Sequence, residues 1–330
     1  MDLPFTTLDV FTTKQLQGNP LAVVRVSASL RDRLTQPLKL KIAQEFNLSE
    51  TVFLHDETSK SGPKAREVDI FTIEQELPFA GHPTIGTATL VREHLADGGG
   101  EDVQTLLTKA GPIDLAPSPR GIQARIPHDV HLHKRTLNDL LVSSSSADTV
   151  DTTISAAVKA GLHPHPTIAE AELSAPVFSI VNGMAFALVR LPSLDLLREV
   201  KPLRLDFGVL GPALLDEGWR ESFVARYYYV DVDDVESGEE GEEGVKGLRT
   251  RMVEMGFEDP ATGSAATALG AYLTLTRERK GTKFLVTQGV EMGRKSVISV
   301  ETTLEGGEIG EVYLGGTAVV VMQGTLRVDG

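Results

Sequence analysis

A histidine at the start of a helix is a group that can do chemistry, and this 330-residue chain places one at His82. It lies in Glu76-Leu77-Pro78-Phe79-Ala80-Gly81-His82-Pro83-Thr84-Ile85-Gly86-Thr87-Ala88, which reads as a strand end, a tight glycine turn and a helix beginning at Pro83. Proline suits a first helical position, because its φ is already helical and its missing N–H has no partner there anyway. Unpaired N–H groups and the positive end of the helix dipole then point outward beside Gly81 and His82. That is a site for an anion. With a titratable imidazole beside it, the expected chemistry is on a small acidic molecule.

A second stretch repeats the design with a carboxylate where the first has an imidazole. Gly256-Phe257-Glu258-Asp259-Pro260-Ala261-Thr262-Gly263-Ser264-Ala265-Ala266 again runs aromatic, acid, proline, threonine, glycine and small residues. It opens a helix through Leu269, Tyr272 and Leu273. Placing Thr84 on Thr262 puts Gly86 on Ser264 and Ala88 on Ala266. Two such helix starts imply an internally duplicated protein with its site between the halves. Asp259 before Pro260 also fits a plain N-cap, whose carboxylate accepts backbone N–H bonds. Histidine is not a favoured cap, which shifts His82 toward function. Glu50, between a loop and an apolar strand, reads on composition alone first as a surface acid.

Other candidates fall away on chemistry. Gly81-x4-Gly86 has phosphate-loop glycine spacing, but Thr87 stands where the essential lysine belongs. His131/His133 and His163/His165 lack further ligands at recognised spacing, and the second pair reads as loop beside Pro164 and Pro166, so no metal is expected. Asn47-Leu48-Ser49 is a formal glycosylation triplet without secretory context. The chain has no cysteine, which excludes disulfides, thiolate metal sites and thiol acid/base pairs.

The elements that must position these groups follow from patterning. Strands are expected at 3–11 and 20–26 around the turn Gln17-Gly18-Asn19-Pro20, then a helix at 34–46 and strands near 49–54 and 66–73. After the helix from Pro83 to Leu95, Gly98-Gly99-Gly100 ends the region and strands follow at 103–109, 112–116 and 121–126. Beyond a serine-rich loop at 143–153 come a helix at 151–161, strands at 176–181 and 184–191, and a helix at 193–200. Strands at 204–209, 223–231 and 248–255 lead to the second motif, and the end of the chain is strand-rich. Strands flanking one long helix in each half indicate α+β, not a βαβ nucleotide fold.

With 41% hydrophobic and 24% charged residues, the composition is that of an ordinary globular protein long enough for two domains. A net charge of −14 argues against nucleic-acid or anionic-membrane partners. Asp231, Asp233, Asp234, Glu236, Glu239, Glu240, Glu242 and Glu243 concentrate that charge in one run, and 232–246 is expected as a solvated loop. No basic-then-apolar leader opens the chain and no apolar run nears the ~18 residues of a membrane span, so a cytoplasmic location is expected.

Gly18-Asn19-Pro20-Leu21-Ala22-Val23-Val24, Ser49-Glu50-Thr51-Val52-Phe53, Phe71-Thr72, the two helix-start stretches, Gln288-Gly289 and Met292-Gly293-Arg294 follow in one order. Together they resemble the PhzF family, the phenazine-biosynthesis isomerase-like proteins, over essentially the whole chain. The resemblance implies the diaminopimelate epimerase-like fold: two similar halves, each with strands wrapped around a central helix. Residues 1–118 with a C-terminal strand at 318–330 would form one half and 119–317 the other, with the site in the cleft where the helix starts meet. The related epimerases exchange a proton between two cysteines, which this chain lacks. PhzF-type isomerases use the glutamate of the Ser-Glu-Thr motif, here Glu50. By the same resemblance His82 and Asp259 complete the catalytic set, and Asn19, Gly81, Gly263 and Ser264 bind substrate. Ile73 and Lys295 depart from the family pattern, outside the proton-transfer set.

The implied function is a cofactor-free isomerase performing a 1,3-hydrogen shift on a small carboxylate-bearing metabolite. Glu50 would need partial desolvation for a pKa suited to that task. His82 would stay neutral as a hydrogen-bonding partner, and N–H groups at Gly81 and Gly263–Ser264 would hold negative charge. Two alternatives stand beside it: a catalytically silent binding or regulatory protein on this scaffold, and a thiol-free epimerase or racemase. A homodimer is the candidate assembly.

Overall fold

Residues with alternating or β-branched side chains form the expected N-terminal strands. β1 (Asp2–Val10) and β2 (Asn19–Val26) pair antiparallel, with Phe5 opposite Val24 and Val10 opposite Asn19. The computed structural model describes residues 1–57, 62–95, 102–143, 149–232, 244–254 and 256–329. The triglycine run, residues 144–148 of the serine loop and all but the ends of the acidic segment lie outside the described residues, while 149–153 of that loop are helical, not loop.

Helix α1 (Gln36–Phe46), with proline in its first turn, ends at Asn47 in the left-handed conformation (φ 51°) that asparagine tolerates. Strands β3 (Thr51–His55), β4 (Ala65–Phe71) and β5 (Glu76–Leu77) lead to helix α2 (Gly81–Thr89), which continues as a π-helical turn to His94. Then come β6 (Thr105–Thr108), β7 (Gly111–Ser118), β8 (Gly121–Arg125) and β9 (His131–Leu132). Helices α3 (Leu137–Ser143), α4 (Thr149–Gly161) and α5 (Pro166–Ser174) precede strands β10 (Val177–Val181) and β11 (Met184–Arg190). Helices α6 (Leu194–Glu199) and α7 (Phe207–Leu214) come next, followed by β12 (Phe223–Val232), β13 (Val245–Glu254) and β14 (Phe257–Asp259). Helix α8 (Gly263–Leu273) is followed by β15 (Thr282–Gln288), β16 (Ser296–Glu305), β17 (Glu308–Gly316) and β18 (Ala318–Arg327).

Two compact units emerge. The first comprises Met1–Ile126, Gly293–Ser299 and Tyr313–Gly330. β1 pairs antiparallel with both β2 and β18, β2 runs parallel to β3, and β3 is antiparallel to β4. β4 is parallel to β6, and β6, β7 and β8 continue as an antiparallel series. α2 lies against β1, β2, β3, β8 and β18, with every one of its residues buried. α1 closes a separate apolar cluster in which Ile42 and Ala43 meet Leu3, Val24, Phe53 and Phe71.

The second unit comprises Pro127–Met292 and Val300–Val312. β10 and β11 are antiparallel, β11 and β12 parallel, β12 and β13 antiparallel, and β13 runs parallel to β15. Alternation along β10 divides its neighbours, as the period of two in a strand requires. Phe178 meets Tyr272 of α8 edge-on at 5.8 Å, while Val177 joins the cluster built by α3 to α7. α8, like α2, is a buried helix resting on strands, here β10, β11 and β15.

Two local expectations are corrected. The strand expected at 204–209 is absent: Lys201 to Asp206 is irregular and α7 begins at Phe207. Leu205-Asp206-Phe207-Gly208-Val209 alternates like a strand, but Asp206 caps a helix by accepting the Val209 N–H at 3.3 Å. The region around Pro166 is not loop either. Pro166 opens α5, the helix position that tolerates proline best.

Candidate active site

α2 begins at Gly81 rather than at Pro83, with Ala80 extended (φ −152°) as its N-cap and no side-chain cap bond. Pro83 still falls in the first turn, where N–H groups have no intrahelical partner. The Thr84 hydroxyl folds back to donate to the Ala80 carbonyl at 2.8 Å. Gly86 serves packing rather than phosphate: a Cβ there would come within 2.6 Å of Leu21 Cδ2 and 2.7 Å of Val10 Cγ2. The glycine lets the helix settle against β1 and β2.

Glu50 reaches this helix start from the turn that follows α1. Its Oε2 lies 3.6 Å from His82 Nδ1, beyond hydrogen-bond length. The Glu50 side chain is 18% exposed and that of His82 5%, so Glu50 is no solvated surface acid. Its Oε2 is buried without a hydrogen-bond partner. Burial pushes the Glu50 carboxyl above its ordinary 4.5, outweighing a hydrogen bond from the Ser49 side chain that lowers it. A carboxylate raised by desolvation is the form a general base near neutral pH requires.

Asn19 is buried at the head of β2, next to Gly18 in the left-handed region (φ 67°). A Cβ on Gly18 would sit 2.3 Å from the Val10 carbonyl oxygen, so only glycine fits. Arg294 holds this turn, donating to the carbonyls of Gly18 (2.8 Å) and Gln17 (3.0 Å) and to Asp9 Oδ1 (2.6 Å).

The remaining expected residues, Asp259, Gly263 and Ser264, stand in the second unit. Thr262, not Asp259, is the N-cap of α8, which corrects the capping role expected for the aspartate. Asp259 ends β14 opposite Met252, and its Oδ2 accepts the Thr262 hydroxyl at 2.5 Å. Buried Gln288 binds both partners, donating to the Asp259 carbonyl (2.8 Å) and to Thr262 Oγ1 (3.0 Å). Gly263 is buried in the first turn of α8 and Ser264 is partly exposed beside it.

The histidine pairs are occupied with protein partners. His133 Nδ1 accepts the Asp216 N–H at 3.1 Å and its Nε2 lies 2.9 Å from Ser179 Oγ, so both ring nitrogens are engaged. Burial, with a lesser push from His131, lowers its pKa to about 4. His131 bonds Asp216 at 2.9 Å and stacks on Trp219 with a 12° interplanar angle. His163 Nδ1 accepts from the His165 N–H and its Nε2 faces the Glu199 carbonyl, both at 3.1 Å. Sequence reasoning marked Arg294 and Gln288 only as parts of a motif and gave Thr262 no role. Their work is hydrogen bonding across long sequence separations, which spacing does not reveal.

The family model described as phenazine biosynthesis-like protein, PhzC-PhzF, matches residues 8–204 and 249–324. The chain belongs to this family. An uncharacterized isomerase of Mesorhizobium japonicum is 33% identical over 97% of both chains. A trans-2,3-dihydro-3-hydroxyanthranilate isomerase of Pseudomonas fluorescens is 26% identical over 98% of both. A PhzF-family protein of Bacillus anthracis superposes with TM-score 0.68 at 22% identity, covering 99% of this chain and 100% of its own. A probable proline racemase of Agrobacterium radiobacter shares the architecture at TM-score 0.58 and 14% identity, over 99% of this chain and 93% of its own. The fold is the duplicated diaminopimelate epimerase-like α+β fold, and this PhzC-PhzF protein is an isomerase. Among the described residues no helix is long and apolar enough to cross a membrane.

Proposed function

We propose that this isomerase moves a hydrogen between two carbons of a small carboxylate-bearing metabolite without a cofactor, with Glu50 as the base. The observation that carries the reading is the Glu50 carboxyl: desolvated, raised in pKa and set against His82 at a helix start. Ionised Glu50 takes a proton from one carbon, and the electron pair left behind spreads into the adjacent unsaturated system. The protonated carboxyl exchanges its hydrogen with solvent and then protonates the far end of the system. Atoms and charge balance with no oxidant. His82 partners the carboxyl, and N–H groups beside Gly81, with Asn19, bind the substrate carboxylate. Asp259 supplies the second acidic group. Positioned acid/base catalysis contributes roughly 10²–10⁴-fold, so electrostatic stabilisation of the delocalised anion carries much of the remainder.

The test is incubation in deuterated water with a panel of small unsaturated carboxylates that includes trans-2,3-dihydro-3-hydroxyanthranilate, the compound named for the Pseudomonas relative. The expected product has a migrated double bond and deuterium at the newly protonated carbon, read by NMR and mass spectrometry. Exchange confined to a stereocentre, with the double bond unmoved, would make the protein an epimerase. A panel bound without exchange or isomerisation would favour the silent-scaffold alternative.

A further inference from the structure

Gln288, the last residue of β15, is fully buried, and all four hydrogen-bonding positions of its amide are taken. Its Oε1 accepts the Tyr227 hydroxyl at 2.9 Å and the Thr262 N–H at 3.2 Å. Its Nε2 donates to the Asp259 carbonyl at 2.8 Å and to Thr262 Oγ1 at 3.0 Å. An amide oxygen has two lone pairs and an amide nitrogen two hydrogens, so the capacity is complete and the flip of the amide is fixed.

That fixed amide gives the network a direction. Because Thr262 Oγ1 receives a proton from Gln288, its own single proton goes elsewhere, and the acceptor 2.5 Å away is Asp259 Oδ2. A separation this short belongs to hydroxyl-to-carboxylate bonds, which are stronger than neutral ones. Tyr227 anchors the far end, its Oη also 2.9 Å from Thr250 Oγ1. Burial holds the tyrosine well above its ordinary value of 10, so it stays a donor across the working pH range. No other side-chain type completes the set at position 288: a carboxylate cannot donate to Thr262, and an apolar residue strands Tyr227 and Thr262.

We propose that Gln288 and Thr262 are positioning residues for the isomerisation, a relay that fixes the Asp259 carboxylate in one orientation at the start of α8. The inference rests on the reading that Asp259 serves the reaction. The relay's signature lies in the proton affinity of Asp259 and in the pH profile.

The test titrates Asp259 by carbon-13 NMR in protein labelled at the aspartate carboxyls, the resonance being assigned from its disappearance in Asp259→Asn. Wild type is compared with Thr262→Ser, Thr262→Val and Gln288→Glu. The Thr262 hydroxyl makes no cap bond to the helix, so valine leaves the helix start in place. Thr262→Val is expected to raise the Asp259 midpoint by about one pH unit, the shift that loss of one bond to a charged acceptor produces. Thr262→Ser should restore the wild-type midpoint, and Gln288→Glu, where it folds, should move it upward as valine does. The acidic limb of kcat on trans-2,3-dihydro-3-hydroxyanthranilate should shift in parallel. An unmoved midpoint in Thr262→Val would overturn the relay and leave the role of Asp259 standing. Asp259→Asn turning over within a few-fold of wild type would instead overturn that role, whatever the titration shows.

Discussion

The Glu50 carboxyl keeps less than a fifth of its side chain exposed and leaves its Oε2 without a hydrogen-bond partner. Its pKa is raised above 4.5 in the folded protein, chiefly by burial, so the native state binds the proton more tightly than the unfolded chain does. Stability linked to this group therefore falls as pH rises from 4.5 through the folded value, and the penalty is complete above that value. Removing the charge should relieve it. Glu50→Gln is predicted to melt at or above the wild-type temperature at pH 8, with any advantage shrinking as pH is lowered toward 4.5. Calorimetry across that range checks the sign; a variant less stable at pH 8 than wild type would mean that the ionised carboxylate is well satisfied. The motifs marked Glu50, His82 and Asp259 as candidates, but their environments were not legible. Nothing in the spacing says that Asp259 stands ahead of the cap position, or that Thr262 points its proton back at it.

The elements that carry these residues are held by paired charges as well as by apolar faces. Lys39 of α1 bonds Asp69 of β4, and His55 of β3 meets the same Asp69 oxygen at 2.7 Å. Burial would raise the Asp69 carboxyl, but hydrogen bonds and charges from His55 and Lys39 outweigh it and hold the pKa below 3.8. A depressed carboxyl contributes stability that is complete above its unfolded pKa and fades as pH falls through the lower folded value. Asp69→Asn leaves Lys39 under the sheet without a full countercharge, which should cost about 3 kcal/mol at pH 7. Chemical denaturation should show that difference narrowing below pH 3.8, and a loss that persists undiminished into acid would argue for packing instead. At this scale the long strands and the two buried helices were readable, because alternation and helical spacing agree with the caps and turns. α7 was not, because one aspartate at position 206 outvoted an alternating pattern. α5 was missed because Pro164 and Pro166 read as loop punctuation.

On the scale of the whole molecule, each unit wraps strands around one buried helix, and the duplication was visible as two echoing helix starts. The return of β18 to pair with β1, through an irregularity at Thr7/Leu8, came only from the family likeness, since registers across such separations leave no local mark. The interior of the second unit was equally silent. Arg226 reads as a strand residue, yet it is fully buried, bonded to Glu172 at 2.9 Å and Glu254 at 3.1 Å and to the Gly161 carbonyl. Such a network tolerates loss of a partner poorly, because an unpaired buried charge remains. Against these paired charges stands the base proposed for the reaction, Glu50, desolvated and with its Oε2 lacking a hydrogen-bond partner. Solvent-hydrogen exchange by Glu50→Gln, on the carboxylate that wild type isomerises in deuterated water, tests this claim most directly. The predicted result is a folded variant that binds the compound in titration calorimetry, places no deuterium on it and loses at least ~10²-fold in turnover. Turnover within a few-fold of wild type would contradict the account and put the base elsewhere, with Asp259 the next residue to replace.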